Sequence, residues 1–151
     1  MVLKQLKNAS DVKKYIKRVF GMDIDVKIKH HFWGGYEGTA YIQDNRLEIA
    51  KKAFQDQSFL RILIWHEIGH FRTKWSSSRI QRESDADVWA ARYARKKGYT
   101  TMYHAIVDRA KHERDVLGCD PDWFKAKNGF ASPRTYQKAA MLTIQRLGIV
   151  T

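Results

Sequence analysis

The sequence contains a single cysteine, Cys119, among its 151 residues. One thiol cannot form a disulfide within the chain, so we expect the protein to reside in a reducing compartment. No apolar run approaches the roughly 18 residues of a transmembrane helix, and the first residues lack the apolar core of a signal peptide. The sequence also has no internal repeat, low-complexity tract or linker. Together these absences predict a cytoplasmic protein without a membrane span, folded as one domain over residues 1–151.

Acidic side chains are scarce: 16 Asp and Glu stand against 28 Lys and Arg, which gives a net charge of +12. Such a surface attracts nucleic acid, anionic membranes and acidic proteins, and it accelerates encounters with all of them. The basic residues are spread along the chain instead of forming one arm or stripe. This distribution favours nonspecific attraction to nucleic acid or acidic proteins, or simple solubility, over a dedicated nucleic-acid site.

The first part of the chain has the periodicity of a helix followed by short strands. The N-terminal helix, within residues 1–22, is predicted to be capped by Ser10 and to end at Gly21. From residue 24 to residue 28, isoleucine and valine alternate with charged residues, which is the period of a half-buried strand. Two further strand-like runs flank Asp44-Asn45, a sequence that favours a hairpin turn.

The rest of the chain has apolar residues at helical spacing. The predicted order is therefore a helix, a small antiparallel sheet and then a run of helices, which is an α+β fold. We expect residues 23–97 to hold the sheet and two helices, and residues 98–151 to form a C-terminal helical part. The four predicted helices span residues 56–72, 80–97, 101–116 and 133–147.

The stretch LIWHEIGHF, residues 63–71, places three titratable side chains in an apolar segment. Four residues apart on a helix, His66 and His70 project from the same face, with Glu67 about 100° round the axis. Polar groups left unpaired in a core cost about 1–3 kcal/mol each, and a divalent metal ion would satisfy both imidazoles at once. An H-E-x-x-H pattern should arise by chance on the order of once in a hundred such sequences. The motif predicts a metal site.

A catalytic zinc site needs a third protein ligand and a position left for water. Glu83 and Asp87 lie four residues apart on the next predicted helix and share a face with small alanines, which would allow that helix to approach closely. The alternative is a solvated charge face, in which these carboxylates pair with Arg79 or Arg82. Next to a His-Glu-His helix, the ligand interpretation is favoured for Glu83.

The two motifs HEIGH, residues 66–70, and ESDAD, residues 83–87, resemble those of the gluzincin zinc metallopeptidases. The small size of the chain, and the predicted order of a sheet followed by helices, resemble the single-domain minigluzincins. The residues of the two motifs are also similar to those of ImmA/IrrE-type regulatory peptidases. The resemblance covers about residues 24–97. It implies a zincin-like fold, with a small sheet packed on an active-site helix and a glutamate helix, and C-terminal helices after them.

Carried over residue by residue, the resemblance implies that one Zn²⁺ ion is bound by His66, His70 and Glu83. Glu67 would be the general base and Asp87 would orient a ligand histidine. The implied function is a zinc-dependent endopeptidase, because a metal-activated water that loses its proton to Glu67 can attack a peptide carbonyl. Three residues are candidates for stabilising the developing oxyanion: His104, His112 and Tyr93. For the two histidines among them, a structural role is favoured over a catalytic one.

Peptidases of this kind commonly bind an extended protein or peptide substrate along an exposed sheet edge. Residues 38–44 are the candidate for that edge, and an ordinary core strand is an equal alternative. Two other functions remain open: a basic nucleic-acid-binding domain with a structural zinc ion, and an inactive peptidase-like interaction module. The glutamate within H-E-x-x-H favours the enzyme, because a structural metal site has no use for Glu67.

Overall fold

A computed structural model describes residues 4–30, 38–116 and 133–149, so Cys119 lies outside the described residues. The chain divides into two compact units, residues 1–67 and 68–151. Among the described helices, none is both long and apolar enough to cross a lipid bilayer.

Helix α1, Ala9–Phe20, opens the first unit and ends at Gly21, whose φ of 70° is the left-handed conformation that terminates helices. The start differs from the prediction. The side chain of Asn8, one residue before the helix, accepts a hydrogen bond from the Asp11 amide. Asn8 therefore caps the helix, and Ser10 lies inside its first turn. The apolar stripe is buried as its spacing predicts, at Val12, Tyr15, Ile16, Val19 and Phe20.

The sheet has three strands, β1 (Asp25–Lys29), β2 (Gly38–Tyr41) and β3 (Arg46–Ala50), in the order β1-β3-β2. The predicted hairpin is confirmed: β2 and β3 are antiparallel, and Asn45 in their turn has a φ of 51°. The prediction of an all-antiparallel sheet is wrong, because β1 pairs with β3 in parallel. The tight turn fixes only the β2–β3 pair, while the longer connection from β1 allows it to join the far side of β3.

Helix α2, Gln57–Arg72, carries the His-Glu-His motif across the border between the two units. It begins after Asp56, whose side chain accepts a hydrogen bond from the Phe59 amide at 3.1 Å. In the first unit, Trp65 is fully buried and donates its indole N–H to the Tyr15 hydroxyl at 2.8 Å. Trp65 is therefore buried with its one polar atom hydrogen-bonded, and it anchors the helix immediately before His66.

The second unit contains helices α3 (Arg79–Lys97), α4 (Thr100–Val116) and α5 (Pro133–Arg146), each starting and ending within one residue of its predicted bounds. Ser78 caps α3, and Gly98, with a φ of 82°, ends it. A buried polar cluster joins α5 to α3. The Thr143 hydroxyl lies 3.1 Å from the Ser84 hydroxyl, and the Arg146 guanidinium donates to Ser84 at 3.1 Å and to Asp85 at 2.8 Å. These contacts hold α3 in a fixed position against α5.

The mixed α+β class predicted from the sequence is therefore confirmed, with five α-helices and one three-stranded sheet in the described parts of the chain.

Candidate metal centre

Helix α2 brings together the ligand atoms of His66, Glu67 and His70, which all lie within 4.8 Å of one another. The spacing of four residues places the two imidazoles one above the other along the helix. Both histidines are half-buried, and Glu67 is only 6% exposed. These three side chains could hold a metal ion at a position that is partly screened from solvent, where electrostatic interactions are stronger than in water.

Helices α2 and α3 come into backbone contact at Gly69 and Ala86 in the second unit. A Cβ atom added to Gly69 would lie 2.3 Å from the Ala86 carbonyl oxygen and 2.8 Å from its Cα. Only glycine fits against backbone at this distance. Ala86, Ala90 and Ala94 are buried along the same face of α3, as their spacing predicts. At this point the close approach is made by a glycine on one helix and an alanine on the other.

The close approach brings a carboxylate to the second histidine of the motif. The Nε2 atom of His70 lies 3.6 Å from Oε2 of Glu83, and the Glu83 side chain is 13% exposed. Two atoms that ligate one zinc ion at bond lengths of about 2.0–2.2 Å and a tetrahedral angle are about 3.3–3.6 Å apart. The separation thus suits two ligands of one ion. Glu83 is not a member of the three-residue group on α2, and the member of that group that it lies close to is His70.

The burial of Glu83 is greater than expected for a carboxylate on a solvated charge face. Asp87, one turn further along α3, is half-buried. Of the arginines considered as alternative partners, Arg82 donates to the Ser76 carbonyl at 2.6 Å and lies over the Trp75 ring at 5.3 Å. Arg79 donates to the Tyr136 hydroxyl at 3.5 Å. The role of Asp87 in orienting a ligand histidine stays a prediction.

The three candidates for oxyanion stabilisation lie in the second unit. His104 and His112 are exposed on α4, and His104 meets the Tyr103 ring edge-on at 5.5 Å. Tyr93 is half-buried on α3 and stacks on Trp89 with ring centroids 4.9 Å apart. The exposure of both histidines fits the structural, solvated role favoured from the sequence, and their participation in catalysis stays a prediction.

Gly69 is the residue of this site that the sequence reasoning missed. The signal was present, because Gly69 is the only residue inside H-E-x-x-H without a side chain, and glycine in the middle of a helix is unfavourable by about 1 kcal/mol. A glycine retained there indicates that another backbone lies close by.

Replacement of Gly69 by alanine is expected to destabilise the protein by about 2–3 kcal/mol, because the added methyl group meets backbone atoms that cannot rotate away. Urea unfolding of the metal-free protein measures this change. The sign of the change in unfolding free energy decides between two expectations, because helix propensity alone would stabilise the alanine variant by about 1 kcal/mol. An equal or higher unfolding free energy would show that α2 and α3 are not in contact here.

Comparison of the chain with protein-family models, with curated proteins and with solved structures finds no match. The assignment of a function therefore depends on the chemistry of the site. Two imidazole nitrogens and one carboxylate oxygen form a donor set that suits zinc, which binds nitrogen and oxygen ligands together.

Proposed function

We propose that the chain is a zinc-dependent endopeptidase in which His66, His70 and Glu83 bind one zinc ion. The observation that carries the proposal is the 3.6 Å approach of the Glu83 carboxylate to His70, next to a second imidazole on the same face of α2. Three protein ligands from two helices leave a coordination position for water, which distinguishes a catalytic zinc site from a structural one with four protein ligands.

The donor set explains why zinc suits this position. Two neutral imidazoles and one carboxylate would leave a net charge of about +1 on the ion and its ligands. Zinc bound there would polarise a peptide carbonyl and lower the pKa of a water molecule toward about 7.

Glu67 supplies the proton chemistry of the proposed reaction. Its carboxylate is nearly buried and lies within 4.8 Å of the imidazole ligand atoms. A carboxylate at this position can accept a proton from the attacking water and pass it to the leaving amine. Burial restricts its access to bulk solvent, so that the same proton is available for both steps.

The sheet offers an edge for an extended substrate. In the described residues β2 is an edge strand, with β3 as its only neighbour. Its first residue, Gly38, packs against Leu63 of α2, because an added Cβ would lie 3.3 Å from Leu63 Cδ2. Leu63 precedes His66 by one helical turn. A peptide that pairs with β2 would therefore lie beside the start of the motif, which supports the prediction that this edge binds the substrate.

Metal analysis and peptide cleavage together test the proposal. We expect the purified protein to contain one equivalent of zinc and to cleave a mixed peptide library. A chelator should remove both the metal and the activity, and added zinc should restore both. A protein that retains full cleavage activity after complete zinc removal is not a zinc peptidase. A protein that binds zinc stoichiometrically but cleaves nothing in the library is an inactive module.

A further inference from the structure

A second candidate site lies on α3, on the side that faces away from Glu83. It is a shallow, open cleft of about 340 Å³, formed by α3, the first residue after α2 and the last residue of α5. Arg92 of this cleft lies nine residues after Glu83, which is about 180° round the helix. The cleft therefore does not share residues with the proposed zinc site, and its function can be tested separately.

The cleft has an excess of positive charge. Three cationic side chains line it, those of Arg92, Lys96 and Arg146, against the single carboxylate of Asp85. Asp85 is already engaged with Arg146 at 2.8 Å, while Arg92 and Lys96 are exposed one helical turn apart. Arg92 also donates to the Arg146 main-chain carbonyl at 3.4 Å, so α3 and α5 contribute to one basic surface. Two exposed cations beside a neutralised pair form a surface that attracts anions.

Aromatic side chains form the apolar part of the same cleft. The rings of Trp89 and Tyr93 stack at 4.9 Å with an interplanar angle of 19°, and Val88 lies beside them. An acidic peptide carries its charges on short flexible stems and makes little use of aromatic surface. A nucleotide carries both a phosphate and a flat base, which match cations and aromatic rings in one cleft. The combination favours nucleic acid over an acidic protein.

We propose that this cleft, defined by Trp89, Tyr93, Arg92, Lys96 and Arg146, binds single-stranded nucleic acid. The two exposed cations, Arg92 and Lys96, contact the phosphate backbone, and the aromatic side chains contact a base. The net charge of +12 adds long-range attraction to the same polyanion. The proposal goes beyond the peptidase function and holds whether or not the metal centre is catalytic.

Binding of a fluorescent oligothymidine to the full chain, followed by anisotropy over a range of salt concentrations, tests the proposal. The double variant Arg92→Gln/Lys96→Gln is expected to bind at least about tenfold more weakly at low salt. Its salt slope should fall by about 1.4, because two single-strand phosphate contacts contribute about 0.7 each.

The matched control is Arg134→Gln/Lys138→Gln, which removes an arginine and a lysine at the same helical spacing from exposed positions on α5. The control should weaken binding by no more than about twofold. Equal effects of the two double variants would overturn the proposal, because they would indicate general charge attraction.

A fluorescent oligoglutamate of the same length is the second probe. If it binds as tightly as the oligothymidine and loses affinity through the same cleft residues, the partner is an acidic protein and the proposal is wrong.

Discussion

Replacement of Glu67 by glutamine is expected to lower kcat/KM for peptide cleavage by about 10²–10⁴-fold, which is the usual contribution of a general base. Glutamine has nearly the same shape but cannot accept the proton of the attacking water. The zinc content should not change, because in the proposed site Glu67 is not a ligand. Steady-state cleavage of one library-derived peptide, measured beside metal analysis of the same sample, gives both quantities.

Glu48 provides a matched control for this variant. It is also a nearly buried glutamate, 5% exposed, and its carboxylate pairs with Lys29 at 3.5 Å and Arg46 at 2.9 Å on the sheet. Glu48→Gln removes the same charge from a buried position and is expected to retain cleavage within about threefold, with some loss of stability. If Glu67→Gln cleaved as fast as the wild type, Glu67 would not be the base. Loss of zinc from Glu67→Gln would instead identify Glu67 as a metal ligand.

Replacement of Glu83 by glutamine is expected to weaken zinc binding by at least about 100-fold. Loss of a residue that only orients a ligand costs about 10–100-fold in metal affinity, and loss of an anionic ligand should exceed that. Peptide cleavage at limiting zinc should fall in parallel. Competition with a chromophoric chelator measures the zinc affinity directly.

The control for Glu83 is Glu113→Gln on α4. Glu113 is a glutamate of similar exposure, 17% against 13%, and it pairs with Arg109 at 2.8 Å. This variant should bind zinc with the affinity of the wild type. Unchanged zinc affinity in Glu83→Gln would contradict the proposed ligand set. The zinc affinities of the Glu67 and Glu83 variants should be compared, because Glu83 is expected to hold the metal and Glu67 is not.

The helices of this protein could be predicted closely because their signals are local. Helix α3 is bounded by Ser78, whose side chain caps its first turn, and by Gly98, whose left-handed conformation ends it. The two imidazoles of the motif were predicted to share a face from their spacing alone, and they do lie together on α2. The turn at Asn45 was equally readable, because few residues other than glycine adopt a positive φ there.

Features that depend on how helices and strands pack together could not be predicted from local sequence signals. The parallel pairing of β1 with β3 is set by the path of the chain between strands, and no residue of β1 specifies it. Arg146 joins Arg92 and Lys96 in one cleft only because α5 packs on α3 through Thr143 and Ser84. In the sequence these basic residues appeared as scattered charges.

The proposed function requires Glu83 to ligate the same zinc ion as the two imidazoles of α2. A crystal structure of the zinc-loaded protein, with anomalous diffraction data collected at the zinc absorption edge, locates the ion and its ligands. We expect one peak about 2.0–2.2 Å from a nitrogen of His66, a nitrogen of His70 and a carboxylate oxygen of Glu83, with a further position open to water. A peak ligated by Glu67 in place of Glu83, or closed off by four protein ligands, would show that the proposed ligand set is wrong.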